Sequence, residues 1–412
     1  MVSAASALAA LERGEPVDLL DADLYPDPGV GAVLAWLRDH APAYRDANGL
    51  VCISRHADLC AVERNAALYT SLHGSRPLLD MSADRSMINL DDPAHATQRR
   101  LIVRRFTPHG IRPHGEHIRA ITAELVDGFA RRGTCDLVAE LAAVLPATVI
   151  CELLGFNRDR WSDCEQWARE TITAGSLRHD DPRMPDYMTS LMAFLEATGE
   201  LIAERRSEPK DDLVSIWTQA EIETDEGRRP LTDKEILEEA LLVLDGGAET
   251  TRGVIALGAV ALCQFPDERA KLLDDPTLLE RCGTEEMIRW VTPIHNMRRT
   301  ATEDHELHGV PIGTGDEILL MYGSANRDPR AIDRPDEFDV SRTGNHHVAF
   351  GFGTHYCVGA NLARFEITNA FGELLRRIPD FDLDGEPIVA PGFFTRGLHS
   401  LPLRFTPETT AP

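Results

Sequence analysis

The sequence FGFGTHYCVG occupies residues 350–359 and is the most informative stretch of the chain. Two glycines before Cys357 and one after it permit a tight loop with little side-chain bulk. A helical pattern begins near Ala360, so the cysteine directly precedes a helix N-terminus. Backbone N–H groups at such a position stabilise a thiolate, the form in which cysteine ligates a metal. The stretch therefore favours a metal-ligating Cys357 over a buried thiol in a glycine-rich turn.

The composition restricts the class of protein and its partners. The chain has 412 residues, of which 43% are hydrophobic, so it can bury a sizeable core. Its 42 Lys and Arg residues oppose 67 Asp and Glu residues, which gives a net charge of −25. Because phosphate binding needs a basic surface, this balance predicts no nucleic-acid partner.

The chain has no feature of an exported or membrane protein. The first 20 residues lack the basic flank of a signal peptide. The longest apolar stretch, 253–265, is shorter than the roughly 20 residues of a membrane span. Eight scattered cysteines form no C-x-x-C pair, which fits a reducing compartment. We therefore expect a cytoplasmic protein that does not bind membranes.

Helical periodicity dominates and predicts a mainly α protein with minor β structure. The longest helix begins at a T-x-x-E capping box, Thr232 to Glu235, and runs to about Leu262. Other helices are expected at 30–40, from about Pro93, and at 113–131, 138–154, 158–174, 187–206, 277–290 and 360–378, and strands at 43–46, 50–54, 297–301, 306–307 and 317–322. No linker or repeat interrupts the pattern. We expect a single domain over 1–412 with a core at about 25–405.

Four motifs together resemble the cytochrome P-450 monooxygenases. Residues 350–359 match the haem-binding signature F-G-x-G-x-[HR]-x-C-x-G of that family. Residues 286–289 match its E-x-x-R motif, residues 246–251 its [AG]-G-x-[DE]-T motif, and residues 95–99 its H-x-x-x-R motif. The motifs occur in the family's order and spacing, so the resemblance extends over about 25–405.

The resemblance implies a cytochrome P-450 fold with haem b between the long central helix and the cysteine loop. Cys357 would be the axial ligand of the haem iron, and its thiolate would favour O–O cleavage. O2 would be the co-substrate, and NAD(P)H would act only indirectly through redox partners. The haem propionates need cationic donors. His95 is one candidate, and it is equally consistent with a surface cation. The matching positions assign the haem contacts to His95, Arg99, Arg299, Phe350, Gly351, His355 and Gly359.

The motif at 246–251 implies the oxygen-activating residues. Glycines are weak points in a helix, so Gly246 and Gly247 could open a kink that makes a groove beside the iron. Thr250 would then bond oxygen or water, and Glu249 would supply protons. Thr250 could also bond a carbonyl one turn back in its own helix.

The E-x-x-R motif implies a buried structural pair. Glu286 and Arg289 lie one helical turn apart and can bond on one face. The family often adds a third cation, but Glu337 stands where arginine is frequent, and Arg342 is the candidate replacement.

The family's layout also implies pocket residues. The 70–92 segment shows no helical period, and a loop of this length in a compact domain is usually functional. Asp245 is unusual because relatives usually carry an apolar residue there. It could anchor an amine or hydroxyl of the substrate, pair with an internal base, or point to a neighbouring helix or water. The expected pocket residues are Leu242, Asp245, Gly246, Ile294, Met297, Phe393 and Phe394.

Several functions remain open from the sequence. The chain is most similar to actinobacterial enzymes that oxidise sterol side chains, and nearly as similar to hydroxylases of carrier-bound amino acids. The first implies a small hydrophobic substrate in secondary, steroid or terpenoid metabolism, and the second a carrier protein. Electrons would come from a separate ferredoxin and ferredoxin reductase, with Arg100 and Arg104 as a docking patch or a solvated face. A haem-based sensor or electron carrier is the non-enzyme alternative.

Overall fold

A computed structural model describes residues 3–79, 81–176, 181–224 and 227–409. It is mainly helical with small sheets, as the sequence predicts. The helices are α1 (Ala4–Glu12), α2 (Val30–His40), α3 (His56–Arg64), α4 (Ala94–Ile102), α5 (Pro108–Ile111), α6 (Gly115–Asp127), α7 (Val144–Leu154), α8 (Trp161–Ala174), α9 (Met184–Ser207), α10 (Leu213–Gln219), α11 (Asp233–Gln264), α12 (Pro266–Asp274), α13 (Thr284–Val291), α14 (Tyr322–Ala325) and α15 (Ala360–Arg377).

The strands form one five-stranded sheet and several smaller ones. The main sheet has the order β1-β2-β10-β7-β3, with β10 parallel to β2 and antiparallel to β7. The strands are β1 (Ala43–Arg45), β2 (Val51–Ile53), β3 (Tyr69–Thr70), β4 (Thr134–Asp136), β5 (Glu221–Thr224), β6 (Gly227–Pro230), β7 (Asn296–Ala301), β8 (His305–Leu307), β9 (Val310–Ile312), β10 (Glu317–Met321), β11 (Asp382–Leu383), β12 (Ile388–Ala390), β13 (Gly397–Ser400) and β14 (Pro402–Arg404).

The long helix α11 organises the molecule. The predicted capping box at Thr232 and Glu235 is present, with both reciprocal hydrogen bonds formed. The helix packs against α7, α8, α9, α13 and α15, and the largest hydrophobic cluster surrounds it. It runs as one helix through Gly246 and Gly247, so the kink expected at these glycines is not seen as a break in the helix.

Most predicted elements are confirmed, with boundary shifts of a few residues. The helix expected over 277–290 is helical throughout, with a π-helical turn, Leu279–Gly283, before α13. The helix expected over 138–154 likewise begins with a π-helical turn, Val138–Ala142. The 70–92 segment has little regular structure in its described part, with a 3-10 turn at Met87–Asn89. In the described residues no helix is long and apolar enough to cross a membrane.

Candidate active site

The loop before α15 presents Cys357. The backbone N–H of Cys357 donates to the Phe350 carbonyl at 2.8 Å. Gly351 and Gly353 have φ values of +71° and +67°, a backbone conformation that favours glycine. At Gly353 a Cβ atom would also lie only 2.8 Å from the carbonyl oxygen of Glu63. Conformation and space together explain the glycines of the motif.

Cys357 forms part of the wall of a large cavity between α11, α15 and β7. The empty space is about 1460 Å³, including its opening to solvent. The structure brings all eight expected cofactor-binding residues to its wall: His95, Arg99, Arg299, Phe350, Gly351, His355, Cys357 and Gly359.

Two arginines carry the positive charge of the cavity. Arg99 extends from α4, and its Nη2 donates to the Tyr356 carbonyl at 2.6 Å. Arg299 lies on β7 and is almost fully buried, with Nη1 donating to the Arg298 carbonyl at 2.8 Å. Because side chains alternate along a strand, Arg299 faces the cavity together with Met297.

The two histidines, His95 and His355, lie on the same wall as these arginines. The ring centroids of His95 and His355 lie 4.4 Å apart. Nδ1 of His95 lies 3.2 Å from an oxygen of Asp92, and Nε2 of His355 lies 3.2 Å from Oγ of Ser71. Burial lowers the pKa of both, and with the charge of Arg299 it brings the pKa of His355 to about 2. The four residues expected at the propionates therefore lie together on the cavity wall.

Glu63 of α3 is a cavity residue that the sequence analysis missed. Its Oε1 accepts from the Tyr322 hydroxyl at 2.7 Å and lies 3.3 Å from Nη2 of Arg299. Burial raises its pKa, while Arg299 opposes this shift. Glu63 thus fixes the Arg299 side chain. A glutamate within an ordinary surface-helix pattern gives no signal of this role.

The residues at the cavity fit a haem. A haem needs a thiolate ligand, donors for two propionates, and apolar faces above and below the ring. Burial raises the pKa of Cys357, and the backbone amides of Gly359 and Ala360 with the charge of Arg99 partly offset this. A bound metal would hold the thiol deprotonated. The apolar walls come from Ile150, Val254, Ile288, Val358, Leu362 and Ile367.

The expected oxygen-activation pair lies on α11. Thr250 borders the cavity, and its Oγ1 donates to the Gly246 carbonyl at 2.8 Å. Glu249 does not border it and instead faces a smaller pocket. There Nη1 of Arg252 donates to Glu249 at 2.8 Å and to Glu165 at 3.1 Å. Burial raises the pKa of Glu249, and the charge of Arg252 partly offsets this.

Four of the seven expected pocket residues, Leu242, Gly246, Ile294 and Met297, border the cavity. The other three do not border it, and for Asp245 the alternative of pairing with an internal base applies. Asp245 precedes Gly246 but turns away, and its Oδ2 accepts from Nη2 of Arg76 at 2.6 Å. Phe393 and Phe394 pack in the hydrophobic cluster that contains residues of α2. The Phe394 carbonyl accepts from the backbone N–H of His295, and the Phe393 carbonyl accepts from Nδ2 of Asn296.

The expected structural pair is fully buried. Glu286 bonds Arg289 at 2.7 and 2.8 Å, and neither side chain is exposed to solvent. Nε of Arg342 donates to Glu286 at 3.0 Å, so Arg342 supplies the third cation. The side chain of Glu337 instead bonds Arg334 at the surface.

Two further glutamates, Glu285 and Glu366, have perturbed pKa values. Glu285 bonds Nε2 of His347 and the guanidinium of Arg364, whose Cζ lies 4.5 Å from the Phe350 ring centroid. Burial would raise the pKa of Glu285, but these bonds outweigh it and lower the pKa to about 2. Glu366 borders the cavity with its Oε2 buried and unpaired, and burial raises its pKa to about 8. The sequence analysis missed both residues.

A cysteine on the cavity wall before a helix N-terminus, donors for propionates and a long helix beside an apolar cavity fit a haem-thiolate enzyme. The family model described as Cytochrome P450 matches residues 273–388. A steroid C26-monooxygenase of Mycobacterium tuberculosis is 38% identical over 95% of this chain and 98% of that protein. The chain belongs to the cytochrome P450 family.

Solved structures agree with this assignment. Mycobacterium marinum CYP268A2 in complex with pseudoionone has a TM-score of 0.83 and 30% identity over 98% of each chain. P450BioI in complex with an acyl carrier protein that carries hexadec-9Z-enoic acid has a TM-score of 0.82 and 28% identity, over 91% of this chain and 98% of that chain. The protein is therefore a cytochrome P450 monooxygenase with haem b as cofactor and O2 as co-substrate, supplied with electrons by redox partners.

Proposed function

We propose that this monooxygenase hydroxylates a hydrophobic small molecule of the steroid or terpenoid class. The observation that carries the proposal is the apolar wall of the cavity, which suits such a ligand. The named activity of the mycobacterial relative and the pseudoionone bound to CYP268A2 support the same class. The apolar side chains on the substrate side are Met87, Ile88, Leu242, Val243, Ile294 and Met297.

The chain's own residues would hold the cofactor and handle protons. The thiolate of Cys357 would ligate the iron, and Arg99 and Arg299 would neutralise the propionates. When bound, the haem supplies the activation of O2. Thr250 would accept a hydrogen bond from water in the cavity, because its own proton is donated to Gly246.

Glu249 would carry protons from the smaller pocket to this water. Its carboxyl shares Nη1 of Arg252 with Glu165, so Arg252 keeps one acidic partner when Glu249 turns away. The exposed His399 and the half-buried Arg169 border the same pocket. A buried carboxyl with a raised pKa is suited to general acid work near neutral pH.

The test of the substrate class uses ¹⁸O2 and mass spectrometry. The holoenzyme receives electrons from a ferredoxin system with a sterol bearing an aliphatic side chain, a terpene alcohol, or an aminoacyl carrier protein. Incorporation of one ¹⁸O atom into the sterol or the terpene is the expected result. Conversion of the aminoacyl carrier alone would contradict the proposal.

The second candidate is β-hydroxylation of an aminoacyl group on a carrier protein. The complex of P450BioI with a loaded acyl carrier protein supports a carrier as partner. Recognition of the amine would need a free carboxylate, for which Asp245 was the sequence candidate. Because Arg76 already bonds Asp245, the structure favours the hydrophobic substrate.

We propose a ferredoxin and its reductase as the electron source and the cytoplasm as location. Arg100 and Arg104 are exposed beside α4, where an acidic ferredoxin could dock near the cysteine loop. All eight cysteines are free, which fits a reducing compartment. Arg100→Glu combined with Arg104→Glu should slow ferredoxin-driven reduction and weaken its salt dependence. Arg13→Glu, at the end of α1, is the control; equal slowing by both changes would contradict the docking site.

A further inference from the structure

One buried ion pair joins the 70–92 segment to the helix above the cavity. Nη2 of Arg76 bonds Oδ2 of Asp245 at 2.6 Å, with side-chain exposures of 15% and 6%. The hydroxyl of Thr171 donates to Oδ1 of the same carboxylate. Nη1 of Arg76 donates in turn to the Thr171 carbonyl at 3.0 Å. The three residues form a closed group, which we name the Arg76 clasp.

The clasp connects three elements around the cavity. Arg76 belongs to the 70–92 segment, Thr171 to the last turn of α8, and Asp245 to α11. The Arg76 guanidinium also lies 5.4 Å from the ring centroid of Phe394, and a Cβ atom at Gly175 would lie 3.1 Å from it. The cation is thus enclosed on several sides.

The elements that the clasp joins also form the cavity wall. Met87 and Ile88 of the segment border the cavity, as does Gly246, the residue after Asp245. Farther along the segment, the Met87 N–H donates to Glu239 at 2.6 Å and the Arg85 N–H donates to Glu238 at 3.0 Å. Asp245 lies about two turns beyond these glutamates on α11. The segment is therefore fastened to one helix at two separated places.

Removing one partner of a buried ion pair destabilises a protein by more than the intact pair stabilises it. If Asp245 lost its charge, the Arg76 cation would remain in a poorly solvated position. It would gain solvation by moving outward, and the main chain around residue 76 would move with it. The wall formed by the segment would then open more often.

We propose that Asp245 and Arg76 are positioning residues that control which molecules enter the cavity by size. With the clasp closed, a small ligand passes while a bulky one must wait for the segment to move. The pair therefore sets the rate of entry of large ligands, independently of the identity of the natural substrate. Asp245 acts through Arg76 and does not touch the substrate.

The experiment measures binding of two iron ligands to the ferric holoenzyme by stopped-flow absorbance. Imidazole is the small probe and 4-phenylimidazole the bulky one. Asp245→Asn keeps the shape of the side chain and removes its charge, and Arg76→Gln removes the other partner. Each variant is checked first for haem content and for the wild-type far-ultraviolet spectrum.

We expect both substitutions to raise the association and dissociation rates of 4-phenylimidazole by about tenfold, which corresponds to about 1.4 kcal/mol in barrier height. Its affinity and the rates for imidazole should stay close to those of the wild type. The double variant should behave like either single variant, because the two residues act as one unit. Unchanged rates for the bulky probe, or equal acceleration of both probes, would overturn the proposal.

A matched control separates the clasp from general loosening. Arg205 and Asp212 form another buried pair at 2.6 Å, with 5% exposure of each side chain, and neither residue borders the cavity. Asp212 also caps α10, a role that asparagine can keep. Asp212→Asn should lower stability without changing the rates for either probe. Acceleration of 4-phenylimidazole binding by this control would overturn the proposal as well.

Discussion

Glu286→Gln is the substitution with the largest expected effect on stability. The two carboxylate oxygens of Glu286 accept from five groups at 2.7–3.0 Å: two nitrogens of Arg289, the backbone N–H of Asp339, Nε of Arg342 and Nδ2 of Asn345. Neither Glu286 nor Arg289 is exposed to solvent. A glutamine has one acceptor oxygen in place of two and no charge to oppose the arginines.

The magnitude follows from this burial. Removing one partner of a buried ion pair costs about 3–5 kcal/mol, a large share of the roughly 5–15 kcal/mol that stabilises a native protein. For 412 residues, an unfolding entropy of about 2.1 cal mol⁻¹ K⁻¹ per residue converts this loss into a fall in Tm of ~3–6 °C. Asp339, whose N–H donates to Glu286, belongs to the stretch of chain before the cysteine loop. Loss of this hydrogen bond should loosen that stretch, so haem retention should fall together with stability.

The assay is thermal unfolding followed by circular dichroism and by the Soret band, at equal haem loading because bound cofactor stabilises the native state. The control is Glu15→Gln. Glu15 pairs with Arg13 at 2.7 Å, but both side chains are more than half exposed, and such pairs contribute little to stability. Equal Tm values for Glu286→Gln and Glu15→Gln would refute the assignment of the buried network as a main stabilising element.

Three further predictions concern the helix, the acid and the pH dependence. Gly253→Ala should lower stability by about 1–3 kcal/mol, because its Cβ would lie 2.6 Å from the Arg396 carbonyl oxygen; Gly246→Ala, with nothing within 4 Å, should lack this loss, and equal Tm values would contradict the account. Glu249→Gln should slow product formation by about 10²-fold with unchanged haem content, whereas wild-type turnover would exclude a proton-transfer role. Since the folded pKa of Glu285 is lowered from 4.5 to about 2, its contribution to stability is present above pH 4.5 and disappears as the pH falls to 2. Urea unfolding of Glu285→Gln and wild type should therefore differ most above pH 4.5, and a pH-independent difference would contradict the shift.

Local signals predicted the parts of the site that are local in sequence. The glycines around Cys357 and the capping box at Thr232 depend on neighbours within a few residues, and both structures form as expected. The π-helical turns at Val138–Ala142 and Leu279–Gly283 were not predicted, because their apolar pattern is that of a continuing α-helix. Helices α1 and α3 were missed, since each has only nine residues and is buried by packing against α2 or the main sheet.

The errors at the pocket have a different cause. The partner of Asp245 is Arg76, 169 residues earlier in the chain, and no pattern in either stretch indicates the pairing. Phe394 was expected at the cavity from the family's layout, but it packs against Arg76 and in the hydrophobic cluster that contains residues of α2. Glu63 and Glu366 were missed for the opposite reason, because an acid within a helix is usually exposed. These contacts depend on tertiary packing, which periodicity does not report.

The most direct test of the account is the carbon monoxide difference spectrum of the reduced protein and of Cys357→Ser. Thiolate ligation by Cys357 predicts a strongly red-shifted Soret band in the wild type and its loss in the variant, provided that both proteins are folded and supplied with haem. The same red-shifted band in Cys357→Ser would show that another residue ligates the iron. A band at the ordinary position of haem proteins in the wild type would contradict thiolate ligation itself.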